Sequence, residues 1–333
     1  LNFEKFDFAS EELGLKGTLD GNLKGLSQVQ EIVADLQLNN FEYRFNNRAI
    51  GFRGSIKGPI DKLFADVSAH DGNGSADIAV KVSNLQNGEP LTLDGKLNAR
   101  GIDVSSYAGK SPVGRITAKT GFSAVFNKGH KYVRVDSLKA ESLSLKGYEY
   151  RNLTLDGSLD DSVLEAEATC ADSNAIFSIK GTYNLNKKAE NAVYRAEAEV
   201  ERFDLAATGF YSKKDKAVVS LKAEGEFNRE NRDEMKGGFN LKDIRFDDGN
   251  GEHCFGDIAV QGSRVHGLTT LALDSRLLNG DYTWDNVVGR ADIDFHDTRD
   301  LLAYFLPGLY IADGTRLSVA LDEEGLGGLH VTS

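Results

Sequence analysis

The chain has 333 residues and a formal net charge of −12, and it is rich in glycine (35 residues) and poor in proline (4). Its 40% share of apolar residues excludes wholesale disorder. The longest apolar run, residues 301–306, is far shorter than the roughly 20 residues of a membrane-spanning helix. The acidic charge, without Lys/Arg clusters, argues against nucleic acid as a partner.

Alternation of apolar and polar residues, which is typical of half-buried β-strands, runs through most of the chain. Many of these stretches contain a unit of the form apolar-x-Gly-x-apolar. The units are centred on Gly17, Gly54, Gly95, Gly157 and Gly181. Because glycine inside a strand costs stability, we expect bends or close backbone approach at these positions.

Clusters of Asn, Asp and Gly separate the strand patterns and predict tight turns, because these residues tolerate positive φ. The clusters lie at 46–47, 71–74, 127–129 and 247–251. Helical patterns are few and short. The strongest begins at Thr298, a candidate N-cap, and extends to Leu306 before Pro307-Gly308 ends it.

Two patterns recur about every hundred residues. An L-x-L-x-x-apolar segment begins at Leu36 and Leu143, and more loosely at Phe239. A triplet with a central Asp between two apolar residues occurs at Asp7, Asp103, Asp204 and Asp294. We therefore predict one continuous elongated domain with β-groove repeats over 1–104, 105–205 and 206–300, and the start of a further repeat over 301–333.

The sequence predicts an all-β fold: an elongated repeating β-groove, formed by a curved, U-shaped sheet, with a few short helices between repeats. One face of such a sheet is apolar and needs a cover, which the sheet itself, a partner or an apolar ligand could supply. Alternation alone leaves open whether this face lines an open groove or packs in a closed core.

The candidate lining residues are the apolar positions of the alternating strands, and we nominate them as a lipid-binding surface. They are Leu36, Leu38, Leu93, Leu97, Leu143, Leu145, Leu153, Leu155, Leu159, Ile179, Tyr183, Val219, Leu221, Phe227, Phe239, Leu241, Ile258 and Val260. The aromatic pairs Phe41/Tyr43 and Tyr148/Tyr150 alternate in the same way, so each pair should share one face.

No sequence motif predicts catalysis, a metal site or a cofactor. Residues 109–111 end like a phosphate-binding loop, but Val104 stands where its leading glycine belongs. The stretch from Asp71 lacks the glycine and glutamate that a calcium loop needs, so it predicts a hairpin turn. The six histidines are dispersed, and Cys170 and Cys254 form no C-x-x-C pair. We expect a protein that is not an enzyme.

Taken together, the L-x-L-x-x-apolar, apolar-x-Gly-x-apolar and Asp-centred units resemble the TamB-like and AsmA-like proteins of Gram-negative envelopes. The best match runs from Phe295-His-Asp297 through 306–308 to 314–321. The resemblance implies a periplasmic β-groove whose parent protein is anchored in the inner membrane. It implies transport of phospholipids between the inner and outer membranes, or help in assembling outer-membrane β-barrel proteins with an Omp85-family protein.

We therefore expect an internal fragment of such a protein, with phospholipid acyl chains or nascent β-barrel strands as partners. Contact with the Omp85-family protein would be made by parts of the parent chain not present here. The alternative is an extracellular β-rich adhesin or structural stalk without internal cargo. A polysaccharide-acting β-solenoid enzyme is a third interpretation, which clustered carboxylates beside aromatic platforms would favour.

Overall fold

The protein is all-β, as the sequence predicts: over the residues described below, its computed structural model contains 21 antiparallel strands and one four-residue helix. The structure describes residues 1–10, 15–28, 31–45, 48–85, 90–108, 111–186, 188–212, 215–231, 233–285, 288–297, 310–322 and 325–332. Over these ranges, no helix has the length and apolar character needed to cross a membrane.

The chain divides into two compact units. Unit 1 comprises Leu1–Asp161 and Ala166–Asp172, and unit 2 comprises Ser162–Glu165 and Ser173–Ser333. Strand β11 (Val163–Asp172) therefore contributes residues to both.

Unit 1 is an antiparallel meander in which each strand pairs with the next one along the chain. Its strands are β1 (Asn2–Ser10), β2 (Leu15–Lys24), β3 (Val33–Phe45), β4 (Arg48–Pro59), β5 (Lys62–His70), β6 (Ser75–Ser83), β7 (Leu91–Asp103), β8 (Val113–Asn127), β9 (His130–Leu145) and β10 (Tyr148–Asp160). The helix α1 (Ser105–Ala108) lies between β7 and β8.

Unit 2 repeats the same arrangement. Its strands are β12 (Ala175–Asn184), β13 (Ala192–Asp204), β14 (Val218–Arg229), β15 (Met235–Asp247), β16 (Glu252–Val265), β17 (Leu268–Ser275), β18 (Leu278–Trp284), β19 (Gly289–Phe295), β20 (Arg316–Asp322) and β21 (Gly325–Thr332).

Turn chemistry explains most of the short connections. Clusters 71–74, 127–129 and 247–251 lie at the predicted hairpin turns. At the first of these, the Asp71 carboxylate accepts hydrogen bonds from the backbone N–H groups of Asn73 and Gly74. Cluster 46–47 and the predicted helix at 298–306 lie outside the described residues.

The L-x-L-x-x-apolar pattern adopts two different structures. After Leu36 it lies within β3, where Asn40 has a φ of 51° and the register shifts between Leu38 and Phe41. After Leu143 it spans the turn from β9 to β10, where Lys146 and Gly147 both have positive φ. The two segments are therefore not equivalent in structure, although their letters match.

The Asp-centred triplets mark strand ends at two of their positions. Asp103 ends β7 and accepts hydrogen bonds from the Ser105 N–H and hydroxyl, and thereby caps α1. Asp204 ends β13 and accepts from the N–H groups of Ala206 and Ala207. Two predicted repeat boundaries, after 104 and 205, thus coincide with capped turns, and the division into three repeats stays a prediction.

Candidate functional site

The nominated residues of unit 1 lie together on one apolar face of the sheet. One row across the strands runs through register partners Leu38, Gly54, Val67, Ile78 and Leu97. Because register partners project to the same side of an antiparallel sheet, the row forms one surface.

The remaining nominated positions of unit 1 fall on this same face by register. Leu36 pairs with Ile56, Leu93 with Val82, Leu143 with Tyr150, Leu145 with Tyr148, Leu153 with Ala140, Leu155 with Leu138, and Leu159 with Val133. The aromatic pairs Phe41/Tyr43 and Tyr148/Tyr150 share it as predicted, and the two tyrosine rings are 4.8 Å apart in an edge-on contact.

Single-residue bulges keep this face continuous where the period of two breaks. Asn40 in β3, Ser137 in β9 and Asn152 in β10 all have positive φ, and each separates two apolar positions that are three residues apart. An unbulged strand would send the second apolar residue to the opposite face. The bulges therefore return the apolar side chains to the same side.

Unit 2 carries an equivalent apolar face that includes all of its nominated residues. One row runs through register partners Ile179, Ala198, Ala223, Leu241 and Ile258. A second row contains Phe239, Val260, Leu273 and Ile293. A third contains Tyr194 and Phe227, and the Tyr183 ring makes an edge-on contact with Tyr194, with ring centres 5.2 Å apart. The other two nominated residues, Val219 and Leu221, pair with Phe203 and Val200.

Neither apolar face has a closed covering layer over the described residues. Ile179 is 44% exposed and Tyr183 51%, although both project from the apolar side. The largest fully buried side chain in the described part of the chain is that of Thr208.

Glycines on the apolar faces are covered by aromatic rings of neighbouring strands. The Phe41 ring lies over Gly17, the Phe122 ring over its register partner Gly95, and the Phe227 side chain against its partner Gly237. The predicted close backbone approach occurs at Gly54, Gly95 and Gly181, where a Cβ would meet the backbone oxygens of Asp66, Ala79 and Arg195. At Gly17 the approaching group is instead the Phe41 side chain.

A side-chain contact holds α1 against a turn of unit 1. The Tyr107 hydroxyl of α1 donates to the Asp71 carboxylate in the turn between β5 and β6. In unit 2, the Phe210 ring beyond the Asp204 cap contacts Phe203, with ring centres 5.6 Å apart.

In each unit, the face of the sheet opposite the apolar face is polar and carries cross-strand ion pairs. In unit 2, Arg195 donates to Glu226 and holds the pKa of that carboxyl below its usual range. Lys242 donates to Glu224 at 2.7 Å and lowers its pKa in the same way. Such exposed pairs contribute little to stability, but they keep this side of each sheet solvated.

The histidine–carboxylate cluster and the two cysteines lie at separate positions in the described structure. His130 Nδ1 lies 3.3 Å from Asp161 Oδ2 and 3.5 Å from Asp160 Oδ1, all three on exposed hairpin turns. Cys170 is buried, and desolvation raises the pKa of its thiol, whereas Cys254 is exposed. Residues 109 and 110 of the rejected phosphate-loop match lie outside the described residues.

Several residues of the apolar faces are not among the nominated positions. Val67, Ile78 and Phe122 lie in the same rows as nominated leucines. In unit 2, Leu273 and Ile293 lie in the row of Phe239 and Val260. The alternation in 63–69 and 76–82 was sufficient to find the first two.

Comparisons with protein-family models, with curated proteins and with solved structures find no match for this chain. Its function is therefore argued from the geometry of the two faces.

Proposed function

We propose that the apolar faces form a passive, non-enzymatic surface that holds apolar cargo and lets it move along the sheet. The observation that carries this proposal is the continuity of each face across its strands together with its lack of a closed covering layer. From Leu38 to Leu97 and from Ile179 to Ile258, each register partner is apolar or glycine; the next partners are the hydroxyl residues Thr120 in β8 and Ser275 in β17.

Burial of acyl chains on such a face is favourable by roughly 25 cal/mol for each Å² of apolar surface removed from water. A strand of 13 residues such as β3 is about 40 Å long. Along the strand direction, the face therefore extends over many side chains. A chain that slides from one row to the next stays in contact with apolar side chains, and no catalytic group is needed.

The resemblance to TamB-like and AsmA-like proteins gives this proposal its biological setting. The cargo would be phospholipid passing between the inner and outer membranes, or the nascent strands of an outer-membrane β-barrel protein, which add to an open sheet edge. The protein would act in the periplasm of a Gram-negative bacterium, in a parent chain that is anchored in the inner membrane and reaches an Omp85-family partner.

Native mass spectrometry and lipid extraction of protein purified from a Gram-negative periplasm test the proposal. We expect bound phospholipid, and we expect Leu155→Glu on the apolar face of β10 to remove most of it. Ser158→Glu is the matched control, because Ser158 lies on the polar face of the same strand opposite Arg134.

A folded protein that carries no lipid, in wild type and in both variants, would contradict lipid transport. If it also carried no β-barrel strand, the adhesin or stalk interpretation would be favoured instead.

A further inference from the structure

Three side chains that can bind a metal ion come together where β10 ends. His130 begins β9, Asp160 ends β10, and Asp161 lies in the turn before β11. His130 Nδ1, one oxygen of Asp160 and one oxygen of Asp161 all lie within 4.8 Å of one another. Over the described residues, this histidine–carboxylate cluster is the only group of three or more His, Cys, Asp or Glu side chains that meets this spacing.

The distances within the cluster are longer than those of strong hydrogen bonds. His130 Nδ1 is 3.3 Å from Asp161 Oδ2 and 3.5 Å from Asp160 Oδ1, whereas a charge-assisted N–H···O bond is about 2.7–2.9 Å long. One N–H also cannot point along a straight line at two carboxylates. Zinc bonds of about 2.0–2.1 Å in a tetrahedral site place neighbouring ligand atoms about 3.3–3.4 Å apart. The observed separations therefore fit ligands around a metal ion better than an ion pair.

Backbone hydrogen bonds hold one of the two carboxylates in place. The Lys131 N–H donates to Asp161 Oδ1 at 2.7 Å, and the Asp161 N–H donates to the Lys131 carbonyl oxygen at 2.7 Å. The first of these bonds is the main cause that lowers the pKa of Asp161, and the ammonium charge of Lys131 adds a smaller effect in the same direction. Asp161 Oδ2 is left facing His130, and carboxylates anchored by such a hydrogen bond are typical of metal sites.

We propose that the histidine–carboxylate cluster binds a divalent transition-metal ion such as Zn²⁺ through His130 Nδ1, Asp160 and Asp161. One nitrogen and two oxygen ligands suit such an ion better than Mg²⁺ or Ca²⁺, which prefer oxygen alone. Two carboxylates and a neutral imidazole would balance its charge. The three side chains are between 47% and 58% exposed, so water would complete the coordination. The bound ion would tie the start of β9 to the turn after β10.

A histidine of unit 2 provides an internal comparison. His266, in the turn between β16 and β17, has its Nε2 3.6 Å from Glu234 Oε1. Within the described structure, no third ligand completes a group there. Two ligand atoms hold a metal ion more weakly than three, so His266 serves as the matched control for His130.

Isothermal titration of the tag-free, metal-stripped full chain with zinc chloride at neutral pH tests the proposal. We expect one equivalent of Zn²⁺ to bind, and Mg²⁺ to bind at least about tenfold more weakly. His130→Ala and Asp160→Asn should each weaken zinc binding at least about tenfold. By contrast, His266→Ala should leave it unchanged, and so should Cys254→Ser, which removes the exposed thiol.

Asp160→Asn separates loss of binding from loss of folding. Among the described residues, the Asp160 carboxylate makes a polar contact only with His130, so the metal-free variant should unfold at the same temperature as wild type. Zinc should raise the unfolding midpoint of wild type but not that of the variant. Long-range ¹H–¹⁵N spectra should show that zinc shifts the Nδ1 signal of His130. The proposal is overturned if zinc does not bind, if both variants bind it like wild type, or if the shifted signal belongs to another histidine.

Discussion

Replacement of Gly95 tests whether aromatic rings cover the glycines of the apolar face. A Cβ at this position would lie 2.6 Å from Phe122 Cζ and 2.8 Å from the Ala79 backbone oxygen. The ring would have to move by about 1 Å, and overpacking of this kind costs about 1–3 kcal/mol. The lower chain entropy of alanine offsets about 0.4–1 kcal/mol, so Gly95→Ala should be destabilising by about 1–2 kcal/mol.

Gly121→Ala in the neighbouring strand is the matched control. A Cβ there meets nothing closer than Asp136 Cβ at 3.6 Å, so the same substitution should be neutral or stabilise by up to about 1 kcal/mol. Urea unfolding should separate the two midpoints by about 1 M at a slope of about 2 kcal/mol per M.

A double-mutant cycle completes this test. Phe122→Leu removes the end of the ring that a Cβ at Gly95 would meet, so the loss caused by Gly95→Ala should shrink in that background. Equal midpoints for Gly95→Ala and Gly121→Ala would refute the assignment of ring coverage to Gly95.

Three further outcomes follow from the two faces and their caps. Phe239 is 36% exposed and Phe246, in the same strand, is 8% exposed. Phe239→Ala should therefore lower the free energy of unfolding by about 1–2 kcal/mol and Phe246→Ala by about 3–5 kcal/mol. Equal losses in denaturant titrations would indicate that both sites are equally covered. Asp204→Ala should destabilise by about 1 kcal/mol because two backbone N–H groups lose their acceptor, and Asp204→Asn should recover most of this in thermal melts. Arg195 lowers the pKa of Glu226 from its ordinary 4.5, so the pair stabilises the fold above that pH, and this contribution disappears as the pH falls through the lowered pKa. In melts between about pH 5 and pH 3, the unfolding midpoint of Glu226→Gln should therefore fall less steeply with pH than that of wild type. An unchanged slope would contradict this.

The sequence was sufficient to predict the strands and many, but not all, of the residues of the apolar faces. Alternation is a direct consequence of the two-residue period of a strand, so Leu93 and Leu97 could be assigned to one side without coordinates. The Asp-centred triplets at Asp103 and Asp204 were recognisable as a recurring pattern, but their capping role was not predicted and emerges from the hydrogen bonds that each carboxylate accepts after its strand.

What the sequence could not resolve was where the period breaks. Two residues with positive φ separate Leu145 from Tyr148 at a hairpin, whereas a single bulged residue, Asn40, lies between Leu38 and Phe41 inside one strand. Both arrangements give the same L-x-L-x-x-apolar pattern, because Asn, Lys and Gly are acceptable at the last two x positions in a hairpin turn and in a bulge. Only the pairing of the following residues with a partner strand distinguishes them.

Photo-crosslinking in the periplasm tests the central claim most directly. A photoreactive amino acid placed at Leu97, Leu155 or Phe239 on the apolar faces should form adducts with phospholipid or with nascent β-barrel strands, and the same residue at Ser158 on the polar face should form none. Crosslinks from the apolar positions only to other parts of this chain, without cargo at any of them, would mean that the faces are closed and would contradict the account.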